Sequence, residues 1–251
     1  MTVLAKPRII ELHKSGDIQI EPFNLENVKN SSYDVTLGST FWVESSPNVD
    51  MAPDYHPDSA NWVGDVGGHS FKGFQNIEKY EYLLNMYSEE SVRKMWKGPF
   101  TAMPLKVALP GIPLGTPVIV IGPKQNMLGH THEFIGSTDL VHTTKMQARS
   151  SLGRNQITVC RCAGLGDIGY CDRWTIEITN NSDRPTILVP GRRIAQISFF
   201  ATTGLDDVRD SYPETGKYQT KKLTGKSFAE LEADWKPESL LPKMWKDAEA
   251  Q

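Results

Sequence analysis

The 251-residue chain has little that would tie it to a membrane, an oxidising compartment or a nucleic-acid polymer. Its longest uncharged stretch, Val107 to Pro123, is interrupted by Pro110, Pro113 and Pro117. A spanning helix of about 20 apolar residues does not readily carry three interior prolines, so no membrane span is expected. Cysteine is scarce: Cys160, Cys162 and Cys171 are odd in number and crowd into one short stretch. They read as reduced thiols packed in strands and not as a disulfide framework. The first residues run into charge with neither an apolar core nor a small-residue cleavage site, so the protein is expected to stay in the cytoplasm. A net basic charge is missing too, since Lys+Arg 27 against Asp+Glu 30 gives -3. No global field exists to hold a nucleic-acid polymer, although a local basic pocket is allowed. No internal repeat is visible.

What is present is a turn-rich globule. Hydrophobic residues at 39% and charged residues at 23% exclude wholesale disorder, and Gly 20 with Pro 16 implies many turns. Short β-type runs recur at 117–121, 156–160, 174–178, 186–189 and 194–200, each bounded by Gly, Pro, Asn or Asp, which is the sandwich or barrel pattern. Between Glu78 and Trp96 the spacing of Tyr80, Leu83, Leu84, Tyr87, Met95 and Trp96 predicts one amphipathic helix. The stretch from Asn48 to Gly73 has no period and reads as a loop opening an insertion. Ser227 and Glu230 have capping-box spacing ahead of Leu231 and Trp235, so a tail helix is expected to start near Ser227.

Two familiar motifs fail. Thr224-Gly-Lys-Ser227 resembles the end of a phosphate-binding loop, but the first glycine of that motif would fall at Thr220. His130, His132, Cys160 and Cys162 have zinc-ligand chemistry without zinc-site spacing, so strand or surface histidines are the preferred reading and no metal ligand is assigned. The segment Ala148-Arg-Ser-Ser-Leu-Gly-Arg154 is different: Arg149, Ser150, Ser151 and Arg154 converge within one turn and offer charged and hydroxyl donors to phosphate oxygens, with a solvated basic turn as the equal alternative. A Gly-rich turn then presents Asp167 and Tyr170. Glu177 follows inside the strand Trp174 to Ile178, facing away from Ile176 and Ile178 on the side of Thr175 and Thr179.

Five motifs in order carry a resemblance. Ser31 to Gly38, Ala148 to Arg154, Ala163 to Asn180, Pro190 to Phe199 and Gly216 to Gln219 resemble the dCTP deaminase branch of the trimeric dUTPase family. The resemblance covers the first forty or so residues and roughly Gly111 to Gln219; the region from about 48 to 100 and the tail lie outside it. It implies a mainly β fold, a distorted jelly-roll β-barrel of the dUTPase-like type; with the loop and helices read above in the uncovered regions, the chain is expected to be one domain over 1–251 with a helical insertion at about 48–100 and a C-terminal helical lid or tail at about 204–251. It further implies a homotrimer, or a hexamer built from it, with active sites shared between subunits. Two departures stand out: Ile168 occupies the place of the family's turn proline, and Gly153 that of its usual alanine.

Similarity to this family implies zinc-independent hydrolysis of dCTP to dUTP and ammonia. Glu177 would shuttle protons between water, ring and leaving amine, with Ser150 and Arg154 orienting the water and the pocket. Asp167 would accept the sugar 3′-hydroxyl, Tyr170 would stack on the deoxyribose, and Gln196 would fix base or phosphate. Arg149, Ser151, Lys217, Tyr218 and Gln219 would hold the triphosphate, with Mg2+ bridging its oxygens. Three alternatives stay open: a dUTP pyrophosphatase relying on Asp167, a bifunctional enzyme giving dUMP, and a nucleotide-binding regulatory trimer meeting a protein partner through the segment Tyr80 to Trp96.

Overall fold

The computed structural model describes residues 2–45, 85–161, 163–219, 223 and 225–247. Strand β1 (Thr2–Val3) leads into helix α1 (Lys6–Ser15), followed by β2 (Ile18–Glu21), β3 (Tyr33–Thr36) and β4 (Thr40–Glu44). Beyond residue 84 come α2 (Glu89–Met95), β5 (Trp96–Thr101), β6 (Met103–Pro104), β7 (Pro117–Ile121), β8 (Asn126–Ser137) and β9 (His142–Ala148). Helix α3 (Ser150–Arg154) precedes β10 (Ile157–Val159), β11 (Leu165–Gly166), β12 (Cys171–Asn180), β13 (Thr186–Leu188) and β14 (Arg193–Ala201). The tail carries α4 (Tyr212–Thr215) and α5 (Phe228–Asp234).

The molecule is mainly β, as expected. Its strands pair into one sheet in the order β1-β14-β9-β11 with β3 also on β14, a second in the order β10-β12-β8-β4-β5 with β2 also on β8, and a small third, β13-β7-β6. One core joins them: Tyr33, Val35, Ile197 and Phe199 come from the first sheet, Ile18, Ile20, Ile135, Trp174, Ile176 and Ile178 from the second, Ile119 and Ile121 from the third. Alternation decides which side chains enter it. Along β12, Ile176 and Ile178 are buried while Glu177 stands on the other face with Thr175 and Thr179.

The expected helix from Glu78 to Trp96 needs correction. Its residues Tyr80, Leu83 and Leu84 lie outside the described residues, as does the loop expected from Asn48 to Gly73. Within the described part the helix is only Glu89–Met95, capped by Ser88, whose side chain accepts from the Ser91 N–H. Tyr87 precedes it in a turn, and Trp96 opens β5, where Glu44 of β4 pairs with it. Strand pairing and the Gly98-Pro99 step override the apolar spacing, because proline cannot continue a helix. The sheet therefore resumes at Trp96, inside the region assigned to the insertion. The tail helix starts where it was expected, with the Ser227–Glu230 capping box formed.

Beyond the main core, a second apolar cluster gathers Trp42, Val92, Trp96 and Leu128 with Leu240 and Leu241 of the tail. Trp42 Nε1 donates to the Pro237 carbonyl at 3.0 Å, and the buried Arg173 pairs with Glu232. The tail thus lies against the outer face of the second sheet, the face that carries Glu177. No helix among the described residues is long and apolar enough to cross a membrane.

Candidate active site

Register builds the site. Glu177 of β12 pairs with Leu128 of β8, which pairs in turn with Trp42 of β4, so the three form one row on the outer face; Ile178, Met127 and Val43 form the next row on the core side. The tail and Trp96 close over the outer row and leave a cavity of about 410 Å³. Four of the residues singled out in the sequence line it: Asp167, Tyr170, Glu177 and Tyr218.

Glu177 is half-buried, and its Oε2 is buried with no hydrogen-bond partner among the described residues. Burial pushes its pKa up; the backbone N–H groups of Glu177 and Arg161 and the Arg161 charge pull the other way. A carboxylate oxygen removed from water and left without a donor favours taking up a proton or meeting a ligand N–H. A second orphan shares the cavity: the indole Nε1 of Trp96 is buried without an acceptor among the described residues. Asp172, also in the wall, has its pKa raised to about 6 by burial.

The turn that presents Asp167 is closed by the Tyr170 N–H donating to the Asp167 carbonyl at 2.9 Å. Gly169 sits at φ +88°, as the third position of a type II turn demands. The turn therefore forms with Ile168 at the position where proline is favoured. On the neighbouring strand Gly136 is required, since a Cβ there would lie 1.9 Å from the Tyr170 carbonyl oxygen. The Tyr170 ring meets Trp174 and Tyr212 edge to face, both at 5.0 Å between centroids, and burial holds its phenol neutral by raising its pKa well above the usual value. Asp167 itself is exposed at the rim.

The remaining candidates fall into two groups. Gln219 is buried and its side-chain oxygen accepts from the Cys171 N–H at 2.7 Å, which anchors the segment after Gly216 at the start of β12. Lys217, Tyr218 and Gln219 all line a second cavity of about 480 Å³ beside the first. Gln196 and Arg149 lie elsewhere, on the first sheet, around the buried Asp34. Asp34 accepts from Gln196 Nε2 at 3.0 Å and from Arg193 at 3.3 Å, and stands 3.9 Å from Arg149 Nε. Ser150, Ser151 and Arg154 are exposed on α3 and line neither cavity. Gly153 has open space where a methyl would sit, so the departure from alanine has no steric cause.

Sequence reasoning missed Trp96, Asp172, Asp34 and Arg193. Asp34 and Arg193 lie inside the motifs Ser31–Gly38 and Pro190–Phe199, which could have pointed to them. Asp172 and Trp96 carry no local signal, because only folding buries them. The histidines are strand residues: His130 is buried in β8, where burial and Arg173 push its pKa down to about 3. Among the described residues no group of three or more His, Cys, Asp or Glu side chains comes together in a metal-holding arrangement. Cys160 and Cys171 are free thiols, and Cys162 lies outside the described residues.

Residues 108–202 match the family described as dCTP deaminase-like. Over this stretch the chain is similar to the dCTP deaminases. It is 28% identical over 201 residues to the dCTP deaminase of Haloarcula marismortui, covering 78% of this chain and 79% of that one. It is 27% identical over 230 residues to the dUMP-forming dCTP deaminase of Methanocaldococcus jannaschii, covering 92% and 97%. Among solved structures, the 2′-deoxycytidine 5′-triphosphate deaminase of Agrobacterium tumefaciens aligns with a TM-score of 0.48 and 16% identity, over 80% of this chain and 48% of that one. The family match holds Arg149 to Arg154, Asp167, Tyr170, Glu177 and Gln196. Trp96, Lys217 to Gln219 and the tail over the cavity lie outside it.

Proposed function

We propose that the protein hydrolyses dCTP to dUTP and ammonia, with Glu177 as the proton shuttle. The observation that carries this is the unpartnered Glu177 oxygen facing a cavity whose rim holds Asp167 and Tyr170. Water adds to carbon 4 of the cytosine ring as Glu177 takes one of its protons and passes it to ring N3; Glu177 then moves the second proton from the new C4 hydroxyl to the amine, the C–N bond breaks, ammonia leaves, and the carbonyl of uracil forms. Asp167 at the rim accepts the sugar 3′-hydroxyl, and the Tyr170 ring packs on the deoxyribose. Buried donors and acceptors without partners favour a ligand that satisfies them.

Arg149, Ser150, Ser151, Arg154 and Gln196 stand apart from Glu177 within one chain. A homotrimer in which this cluster completes a neighbour's cavity accounts for that separation, and it makes each site shared. Magnesium belongs to this reading as the ion carried by the triphosphate. The exposed Asp167 and the half-buried Asp172 are fewer oxygen donors than Mg2+ requires, so phosphate and water oxygens would hold it and its charge would offset theirs. Zinc has no role in the reading. The free thiols are in keeping with a cytoplasmic protein.

A second reading is favoured by a specific observation. Asp167 and Glu177 line the same cavity, and several relatives are named dUMP-forming. A bifunctional enzyme would add hydrolysis at the α-phosphorus, with Asp167 activating the water. The test is to incubate the protein with dCTP and magnesium and to resolve dUTP, dUMP and ammonia, then to repeat with Glu177→Gln. Deamination should fall by about 10² to 10⁴-fold while dCTP still binds. Full deamination by Glu177→Gln would refute the proposed role. Mixing Glu177→Gln with Arg154→Ala chains should restore part of the activity if sites are shared.

A further inference from the structure

The second cavity is built largely from the tail, and its lysines Lys243 and Lys246 have no assigned task. Tyr218 is its hub. The Lys243 N–H donates to the Tyr218 hydroxyl at 3.1 Å, and the ammonium groups of Lys243 and Lys217 stand 5.1 and 5.7 Å from the centre of the Tyr218 ring. Lys243 Nζ also reaches the Lys217 carbonyl at 3.4 Å. A single helical turn, Met244–Lys246, brings Lys246 beside them. Lys217, Lys243 and Lys246 all line the cavity of about 480 Å³.

The charges in this cavity do not balance locally. Asp247 holds Lys217. Of the acids that line the wall, Glu89 is engaged by Arg93 and Asp234 by Lys226, which leaves Asp172 and the exposed Glu238 to face Lys236, Lys243 and Lys246. Lys243 is half-buried and its pKa is lowered, first by burial and then by Lys246; Asp172, the carboxyl that acts against this, is itself held toward its neutral form. Holding like charges together beside a cavity is unfavourable unless an anion is bound between them. Asp172, Tyr218 and Ser239 line both cavities, so the lysines lie along one groove with Glu177.

We infer that Lys243 and Lys246, both on the tail, complete with Lys217 a subsite for the oligophosphate of the nucleotide whose base meets Glu177. This rests on the proposed deamination and adds two binding residues outside the family match. Asp247 is the internal anion that the phosphate chain displaces from Lys217. The tail then acts as part of the binding site as well as its cover.

The experiment uses the full-length protein, with inorganic tripolyphosphate as a probe in calorimetry and dCTP in steady-state kinetics. Lys243→Met with Lys246→Met should weaken tripolyphosphate binding and raise KM for dCTP by about tenfold or more while kcat changes less than about threefold, the pattern of lost uniform binding. Lys243→Arg with Lys246→Arg should restore most of both. Asp247→Asn should tighten tripolyphosphate binding. The exposed Lys246 can be changed alone without disturbing the fold, so Lys246→Met is the variant to read if the double change unfolds. Affinities and KM within about twofold of wild type in both Met variants would overturn the inference. A protein that binds tripolyphosphate through these lysines but leaves dCTP intact would instead refute the deaminase reading alone.

Discussion

Arg173 is the point at which the tail is locked to the sheet, and removing its charge tests that account. The side chain is 3% exposed, donates through Nε to the His132 carbonyl at 3.2 Å, and makes a two-armed pair with Glu232 of α5. Its guanidinium carbon lies 4.6 Å from the Phe134 ring centre, 4.8 Å from Trp235 and 5.8 Å from Phe228. Two of these three rings, and the carboxylate, belong to the tail. Arg173→Met keeps the stem and deletes the charge. Glu232 is half-exposed and recovers water, so the loss stays below the 3–5 kcal/mol of a fully buried pair, while each tail ring gives up about 0.5–1 kcal/mol. We expect about 2–3 kcal/mol, or a fall in Tm of roughly 4–12 °C for a chain of this size. Glu232→Gln should cost about 1–2 kcal/mol, and adding it to Arg173→Met should cost almost nothing further. Hydrogen exchange is the decisive assay, because protection of Phe228–Asp234 should collapse before that of β12. Unchanged protection there, with a stability change under about 0.5 kcal/mol, would refute the lock.

Acid should weaken the fold through His130. Its folded pKa of about 3 lies below the unfolded value of 6.5, so the unfolded chain binds the extra proton once pH drops under 6.5. Stability is then fully present above that pH and is lost at up to about 1.4 kcal/mol per pH unit below it. Thermal scans of wild type and His130→Asn from pH 7.5 to 5 should show a shallower decline in the variant; parallel curves would refute the assignment. Asp172 has the opposite sign. Its folded pKa of about 6 exceeds the unfolded 3.8, so it opposes folding increasingly as pH rises through that window. Asp172→Asn should therefore raise Tm at pH 7.5 and leave it nearly unchanged at pH 4, and a loss of Tm at pH 7.5 would count against it.

Much of the fold was legible because its signals are local. The runs at 117–121, 174–178 and 194–200 became β7, the centre of β12 and the body of β14, since period-2 alternation between a wet and a dry face needs no distant partner to be read. Strand β8, the longest at 12 residues, gave no such signal. It is buried on both faces, and its polar side chains are satisfied by other strands: Glu133 accepts from the Thr36 N–H and hydroxyl, and Thr131 accepts from the Trp174 N–H. Helix α1, its Ile9 and Leu12 docked in the core, went unread for the same reason: its short apolar stripe has meaning only against its neighbours.

The site divides along the same line. Sequence alone determined that Glu177 faces away from the core and that Asp167 and Tyr170 sit in a glycine-dependent turn, because strand period and turn chemistry act over a few residues. Only the tertiary structure decided that Trp96, Asp172 and Leu240 meet above Glu177, that its second carboxylate oxygen has no partner among the described residues, and that the tail lysines converge on Tyr218. Burial and electrostatic crowding are properties of what the rest of the chain brings near a group, and no spacing along a strand contains them.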